Sequence, residues 1–178
     1  MSIEVGSGLP PAGPGGPLST AADYYRRPER GTVPYRQGNV ERTQRVAATV
    51  GPAVSPARWF DQTYTATVDS LGRLDPGQIL DIAGVGPMTL ADWVTTRVMS
   101  VAAHGLDVAI TLDRPPWTTR LTLSQTTPVL LSLLSLPLPA QPRWDDQTLL
   151  AAGTGRRALT EDERGILGPA QHRFPLLS

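Results

Sequence analysis

The chain has 178 residues, a formal net charge of zero, no cysteine and no lysine, because all sixteen basic residues are arginine. This composition excludes disulfides, thiolate nucleophiles, cysteine-based metal centres and lysine Schiff-base chemistry. The zero net charge also argues against electrostatic capture of nucleic acid by the chain as a whole, and the length fits one domain with appendages.

The first 57 residues contain eight prolines and eight glycines. Such a composition predicts an extended N-terminal arm without a core of its own. We divide the arm into a spacer, residues 1–20, and a docking segment, residues 21–50, in which 40–50 fit a short helix or strand. The N-terminus lacks a basic start and an apolar stretch, so we expect no signal peptide.

Tyrosine and arginine alternate in the docking segment, and both are enriched in protein interfaces. The arm has six arginines against four acids, whereas residues 58–178 have ten against twelve. Balances of +2 and −2 make the arm weakly complementary to the rest of another copy. We therefore predict binding to protein partners, without sequence-specific nucleic acid recognition, by Tyr24, Tyr25, Arg26, Arg27, Arg30, Tyr35, Arg36, Arg42 and Arg45, and by Phe174 and Leu176 at the apolar C-terminal tip.

Residues 58–140 are predicted to form a compact β-rich body. Apolar and threonine side chains alternate over 58–71, which is typical of a half-buried strand. A second strand is predicted over 78–83, and 106–124 are predicted to form a hairpin of two strands, 106–113 and 118–124. Residues 128–136 fit either a buried strand or a short helix.

The clearest predicted helix spans residues 89–104, where apolar side chains recur with a 3.6-residue period. Thr89 and Asp92 fit its N-terminus, and Gly105 fits its C-terminus. Residues 141–178 are predicted as a loosely structured tail with short helices, one of them started by a capping box of Thr160 and Glu163. The predicted fold class is therefore α+β and β-rich: a small antiparallel sheet or sandwich packed with one main helix, preceded by the extended arm.

No catalytic, cofactor-binding or metal-binding residue is predicted. The two histidines, His104 and His172, lack a partner motif, and the sequence around Gly153 and Gly155 lacks the lysine of a nucleotide-binding loop. The acids are scattered, which is typical of turns and solvated edges.

These features favour a non-enzymatic structural subunit of a large symmetric particle, which we expect to be a bacteriophage virion protein of the capsid, the head-to-tail junction or the tail. Its arm would thread over neighbouring copies, and the protein would be located in the virion or another particle assembled in the cytoplasm, without contact to a membrane. One alternative is a bacterial adaptor whose arm folds on one specific partner. A second alternative is a small hydrolase that uses paired carboxylates.

Overall fold

The computed structural model describes residues 17–50, 54–135 and 144–177. These residues are mostly helical, so the predicted β-rich fold class is wrong. In chain order the elements are α1 (Ala21–Arg26), α2 (Val33–Val50), α3 (Pro56–Leu71), β1 (Ile79–Ile82), β2 (Gly86–Thr89), α4 (Leu90–Thr111), α5 (Arg120–Leu134), α6 (Asp146–Gly153) and α7 (Glu161–Leu167), with short 3₁₀ helices at Pro28–Gly31 and Gly168–Arg173.

The described residues fall into two compact units. The first unit contains Pro17 and residues 28–90, and therefore α2, α3, β1 and β2. The second unit contains residues 18–27 and 91–177, so that α1 belongs with α4 to α7. Within the chain, the first unit is thus inserted between α1 and α4.

In the first unit, β1 and β2 form an antiparallel hairpin that pairs Leu80 with Met88. The turn between the strands requires positive φ at Gly84 and Gly86, 73° and 93°, where a side chain would be strained. Both Leu80 and Met88 are buried. The predicted strand at 78–83 is therefore confirmed, with β1 occupying four of its residues.

The strand predicted over 58–71 is wrong, because this segment is helix α3. The Ser55 side chain accepts a hydrogen bond from the Arg58 backbone N–H at 3.2 Å, and Pro56 occupies the first turn. Both are strong helix-start signals, since a serine caps the free N–H groups and proline has the helical φ. These local signals outweigh the strand preference of the threonines.

The hairpin predicted over 106–124 is also wrong, because α4 continues past Gly105 to Thr111 and α5 begins at Arg120. The predicted main helix is confirmed, but it begins one residue later and ends seven residues later than expected. Ala102, Leu106 and Ala109 are buried along one face of this helix, so packing continues through the predicted end. Residues 128–134 belong to α5, which resolves the choice between strand and helix.

The core of the second unit is built on α5. Helix α5 packs against α6 and α1, and it contributes the fully buried Leu130 and Leu134. Leu134 forms a cluster with Leu167 and Ala170. The C-terminal segment closes over α6, because the Leu176 backbone N–H donates to the carbonyl of Gly153 at 2.7 Å.

The prediction of an extended arm is also wrong for the residues that the structure describes, because residues 21–26 and 33–50 are helical. Thr20 and Asp23 form a reciprocal capping box at the start of α1. Such a box satisfies two backbone N–H groups that the first turn leaves free. Residues 1–16 of the predicted spacer lie outside the described residues, and the predicted domain boundaries at 57 and 140 stay predictions.

The capping box predicted at Thr160 is confirmed. The Thr160 hydroxyl accepts from the Glu163 N–H at 3.2 Å, and the Glu163 carboxylate accepts from the Thr160 N–H at 2.8 Å. Glu163 also receives two hydrogen bonds from Arg157, at 3.0 and 2.7 Å. Donation by the Arg157 guanidinium is the main reason why the pKa of Glu163 lies below its ordinary value, and burial opposes this shift.

Glu163→Gln is expected to lower the free energy of unfolding by about 1 kcal/mol at neutral pH, because it removes a charge-assisted pair on a largely buried carboxylate. The lowered pKa means that this stabilisation is complete above the ordinary value of 4.5 and is lost as the pH falls through the folded-state pKa. Denaturant unfolding at neutral and at strongly acidic pH measures the effect. The exposed Glu161, in the same helix, provides the control substitution Glu161→Gln. A difference between wild type and E163Q that did not shrink in acid would contradict the prediction.

Candidate functional site

The first part of the predicted docking segment is buried against its own chain. Tyr24 and Tyr25 are buried and meet edge to face, with their ring centroids 5.1 Å apart. The Tyr25 hydroxyl donates to the carbonyl of Thr96 on α4 at 2.7 Å. The guanidinium groups of Arg27 and Arg97 lie 4.4 and 5.2 Å from the centre of the Tyr24 ring, as in cation–π contacts.

Arg26 connects α1 to α5. Its Nη2 atom donates to the carbonyl and the hydroxyl of Ser132 at 2.6 and 3.1 Å, while its Nη1 atom pairs with Asp23 at 2.9 Å. The pKa of Asp23 is lowered, first by the N–H and hydroxyl of Thr20 and then by Arg26. These contacts hold α1 in the second unit, and partner binding by Tyr24 to Arg27 stays a prediction.

The second part of the docking segment lies in the first unit. Arg30 donates to the Tyr35 hydroxyl at 3.0 Å, and its guanidinium lies 5.4 Å from the centre of the Tyr35 ring. Arg36, Arg42 and Arg45 lie on α2 and are exposed, and Arg42 donates to the side-chain oxygen of Asn39. With Glu41 as its one acid, α2 carries three positive charges and one negative charge.

The two predicted residues of the C-terminal tip pack on the second unit. Phe174 stacks on Trp144 with ring centroids 5.7 Å apart, and both lie against the cluster around Leu134. Leu176 packs on the same cluster. Their contacts with their own chain account for the apolar character that suggested a docking tip, and partner binding there stays a prediction.

Sequence reasoning missed an exposed apolar surface on α3. Among the residues of α2 and α3 that the structure describes, 18 and 16 in number, none is buried. The side chains of Phe60, Tyr64 and Val68 are 60, 59 and 47% exposed, and the rings of Phe60 and Tyr64 stack with centroids 6.4 Å apart. Together with Ala57 and Leu71 they form what we call the α3 stripe. The helix-start signal at Ser55 and this i, i+3, i+4 spacing were the features that could have revealed it.

A second exposed apolar surface lies on α4, in the second unit. Val101, Val108 and Leu112 are exposed and follow one face of the helix, with Gly105 between them. The indole nitrogen of Trp117 lies 3.8 Å from the position that a Cβ on Gly105 would occupy, so the exposed indole covers the gap. We call Val101, Gly105, Val108, Leu112 and Trp117 the α4 stripe.

A pair of ionic contacts lies on the C-terminal half of α4. Nδ1 of the exposed His104 lies 3.2 Å from the Asp107 carboxylate, which also receives two hydrogen bonds from Arg156 at 2.9 and 2.8 Å. Arg156 is the main cause of the lowered pKa of Asp107. Such a pair tethers α4 to the segment after α6.

Within residues 17–50, 54–135 and 144–177, no three metal-ligating side chains cluster in a way that would hold an ion. In the same ranges, no helix is both long enough and apolar enough to cross a bilayer.

Comparison of the chain with protein-family models, curated proteins and solved structures gave no significant match. The features of the described residues that bear on function are the two exposed stripes and the charge of α2.

Proposed function

We propose that this protein is a non-enzymatic structural subunit of a large symmetric assembly, in which its helical surfaces contact neighbouring copies. The observation that carries the proposal is the lack of any buried residue in the described parts of α2 and α3. Most of the stability of helices in proteins comes from packing of one face, so packing on another molecule would supply much of the stability of α2 and α3.

Two exposed apolar stripes favour a multi-neighbour assembly over an adaptor with one partner. The α3 stripe belongs to the first unit and the α4 stripe to the second. The largest exposed apolar patch on a soluble protein is often an interaction site. A subunit with two separate contacts can join more than one neighbour, as closed rings and shells require.

The setting that we propose for this assembly is a bacteriophage particle. A capsid, junction or tail protein needs interaction surfaces rather than a catalytic site, and the surfaces described above have that character. The positive α2, with Arg36, Arg42 and Arg45 exposed, would contact acidic surfaces of neighbouring subunits.

The test is co-sedimentation with particles. An epitope-tagged chain would be produced in a bacterium that carries the gene, and particles would be separated on a density gradient after prophage induction. We expect the tagged chain in the particle fractions and its depletion from the same fractions of uninduced cells. Recovery only as a discrete complex of fixed mass with one host protein would favour the adaptor, and particle fractions without the chain would overturn the proposal.

A further inference from the structure

Helix α1 completes the second unit from a distant position in the chain. The Tyr25 hydroxyl donates to the carbonyl of Thr96 on α4 across 71 positions. The Arg26 guanidinium donates to Ser132 on α5 across 106 positions. Both contacts are made by side chains of α1 itself, so they would be the same if α1 came from another copy of the chain.

The connection between α1 and α4 is long, and its two helices are not held by burial. It consists of the first unit, in which no described residue of α2 or α3 is buried. Helices of 18 and 16 residues measure about 27 and 24 Å. A compact unit of about 100 residues, the size of the second unit, is about 33 Å across. The connection is therefore long enough for α1 to reach the second unit of an adjacent copy.

Both ends of α1 are defined within its own segment. A residue before proline is disfavoured in the helical region, and Arg27, which precedes Pro28, is accordingly extended with ψ 122°. The helix therefore ends at Arg26 whichever copy it docks on. At its start, Thr20 and Asp23 supply the reciprocal capping box. Helix α1 can thus dock on either copy without a change at its two ends.

We propose that in the assembly α1 of each copy docks on α4 and α5 of a neighbouring copy, in place of the contact that the single chain makes with itself. This inference rests on the proposed function and names one of its contacts. Exchange of an identical element is a low-cost route from monomers to oligomers, because every buried group keeps the same kind of partner. Within one chain, a long connection provides an effective concentration of at most about millimolar, which a neighbour held by other interfaces can match.

The occupant that fits this surface of α4 and α5 is the segment that already covers it. The Tyr25 ring is buried and its hydroxyl meets the Thr96 carbonyl, while Arg26 meets the carbonyl and hydroxyl of Ser132. A protein of another sequence would have to present a phenol and a guanidinium at the same spacing, behind a capped helix start. A second copy of this chain carries all of these groups, so it is the partner that the surface fits.

Cysteine cross-linking distinguishes docking within a chain from docking between chains, because the natural chain has no cysteine. Arg26 Nη2 lies 3.1 Å from Ser132 Oγ, so Arg26→Cys and Ser132→Cys place two thiols within reach of a short bismaleimide. The two full-length single variants would be produced together, and their particle fractions would be cross-linked and separated on a denaturing gel. We expect a dimer that joins positions 26 and 132.

The matched control pairs Arg26→Cys with Leu121→Cys. Leu121 is 72% exposed and lies on the same helix as Ser132, but eleven positions away, about 16 Å along the axis. We expect the dimer from positions 26 and 132 to be at least about tenfold more abundant than the dimer from the control pair. Equal yields from the two pairs would reflect random collision and would overturn the exchange.

The double variant Arg26→Cys with Ser132→Cys places both thiols in every chain. At about 1 µM, the isolated chain should form only an internal link and keep the mass of one chain. In particles the same variant should form a ladder of linked chains. Failure to form even the internal link in the dilute chain would overturn the α1 contact on which the proposal depends.

The outcomes separate this inference from the proposed function. Internal links alone in particle fractions would overturn the exchange and leave the proposed function standing. Particle fractions without the chain would overturn the proposed function, and the purified chain at about 200 µM would then decide the exchange. Dimers that join positions 26 and 132 would support exchange there, whereas internal links alone would overturn it.

Discussion

Leu130→Ala is expected to lower the free energy of unfolding by about 3–4 kcal/mol. The Leu130 side chain is fully buried on α5. Its Cδ2 atom lies 3.1 Å from the position that a Cβ on Gly153 would occupy, so α5 and α6 approach closely at this point. Truncation removes apolar contact and leaves a cavity that two closely packed helices cannot collapse to fill.

Leu121→Ala on the same helix is the control, because its side chain is 72% exposed. We expect a change of less than about 0.5 kcal/mol, since a surface leucine contributes little to packing and alanine is a good helix former. Urea unfolding followed by circular dichroism would measure both variants. Equal losses at the two positions would contradict the helical register of α5 and would support the strand that the sequence predicts, in which Leu121 faces the core.

The sequence predicts a hairpin over residues 106–124 because apolar side chains occupy alternate positions in its first strand, residues 106–113. In the structure, the alternating residues Val108, Ile110 and Leu112 are exposed, whereas Leu106 and Ala109 are buried. Burial therefore follows the helical period. One of the two buried residues is alanine, whose small side chain contributes little to a hydrophobic pattern. Local β-branched content pointed to strand, and tertiary packing along α4 overrode that preference.

Helix-start signals were a more reliable guide to the fold than composition or the helix-end glycine, Gly105, through which α4 continues. The Thr160–Glu163 capping box predicted the start of α7 correctly, because the hydrogen bonds involved span only three residues. The same signal is present at Thr20 and Asp23. There, the proline and glycine content of the surrounding segment led to the prediction of an extended arm. Composition averaged over 57 residues thus concealed α1.

The candidate surfaces were only partly predictable. Tyrosine and arginine content correctly indicates side chains that bury planar surface, but it does not indicate which molecule they contact. Tyr24 and Tyr25 bury that surface in their own unit. The apolar face of α3 presents the opposite case, because its residues have a core-like pattern and are exposed. Whether an apolar face is internal depends on the rest of the fold, which local sequence does not determine.

Tyr25→Ala is expected to lower the free energy of unfolding by about 3–4 kcal/mol. The ring is 6% exposed and fills the space between α1 and α4, and its hydroxyl donates to the carbonyl of Thr96 at 2.7 Å. Tyr25→Phe keeps the ring and removes only that hydrogen bond, for an expected loss of about 1 kcal/mol. The Thr96 carbonyl still accepts from the Ser100 hydroxyl at 3.1 Å, so it is not left unsatisfied.

Tyr64→Ala is the matched control, since Tyr64 lies on the exposed α3 stripe. We expect it to change the unfolding free energy by less than about 0.5 kcal/mol, because the ring is 59% exposed. The two tyrosines therefore form a matched pair, because Tyr25 is buried in its own unit and Tyr64 is exposed. If Tyr25→Ala left unfolding unchanged and impaired only the binding of a partner, α1 would be a docking segment as its composition predicts. A loss near 3 kcal/mol for Tyr25→Ala, with Tyr64→Ala unchanged, would instead make α1 part of the core of the second unit.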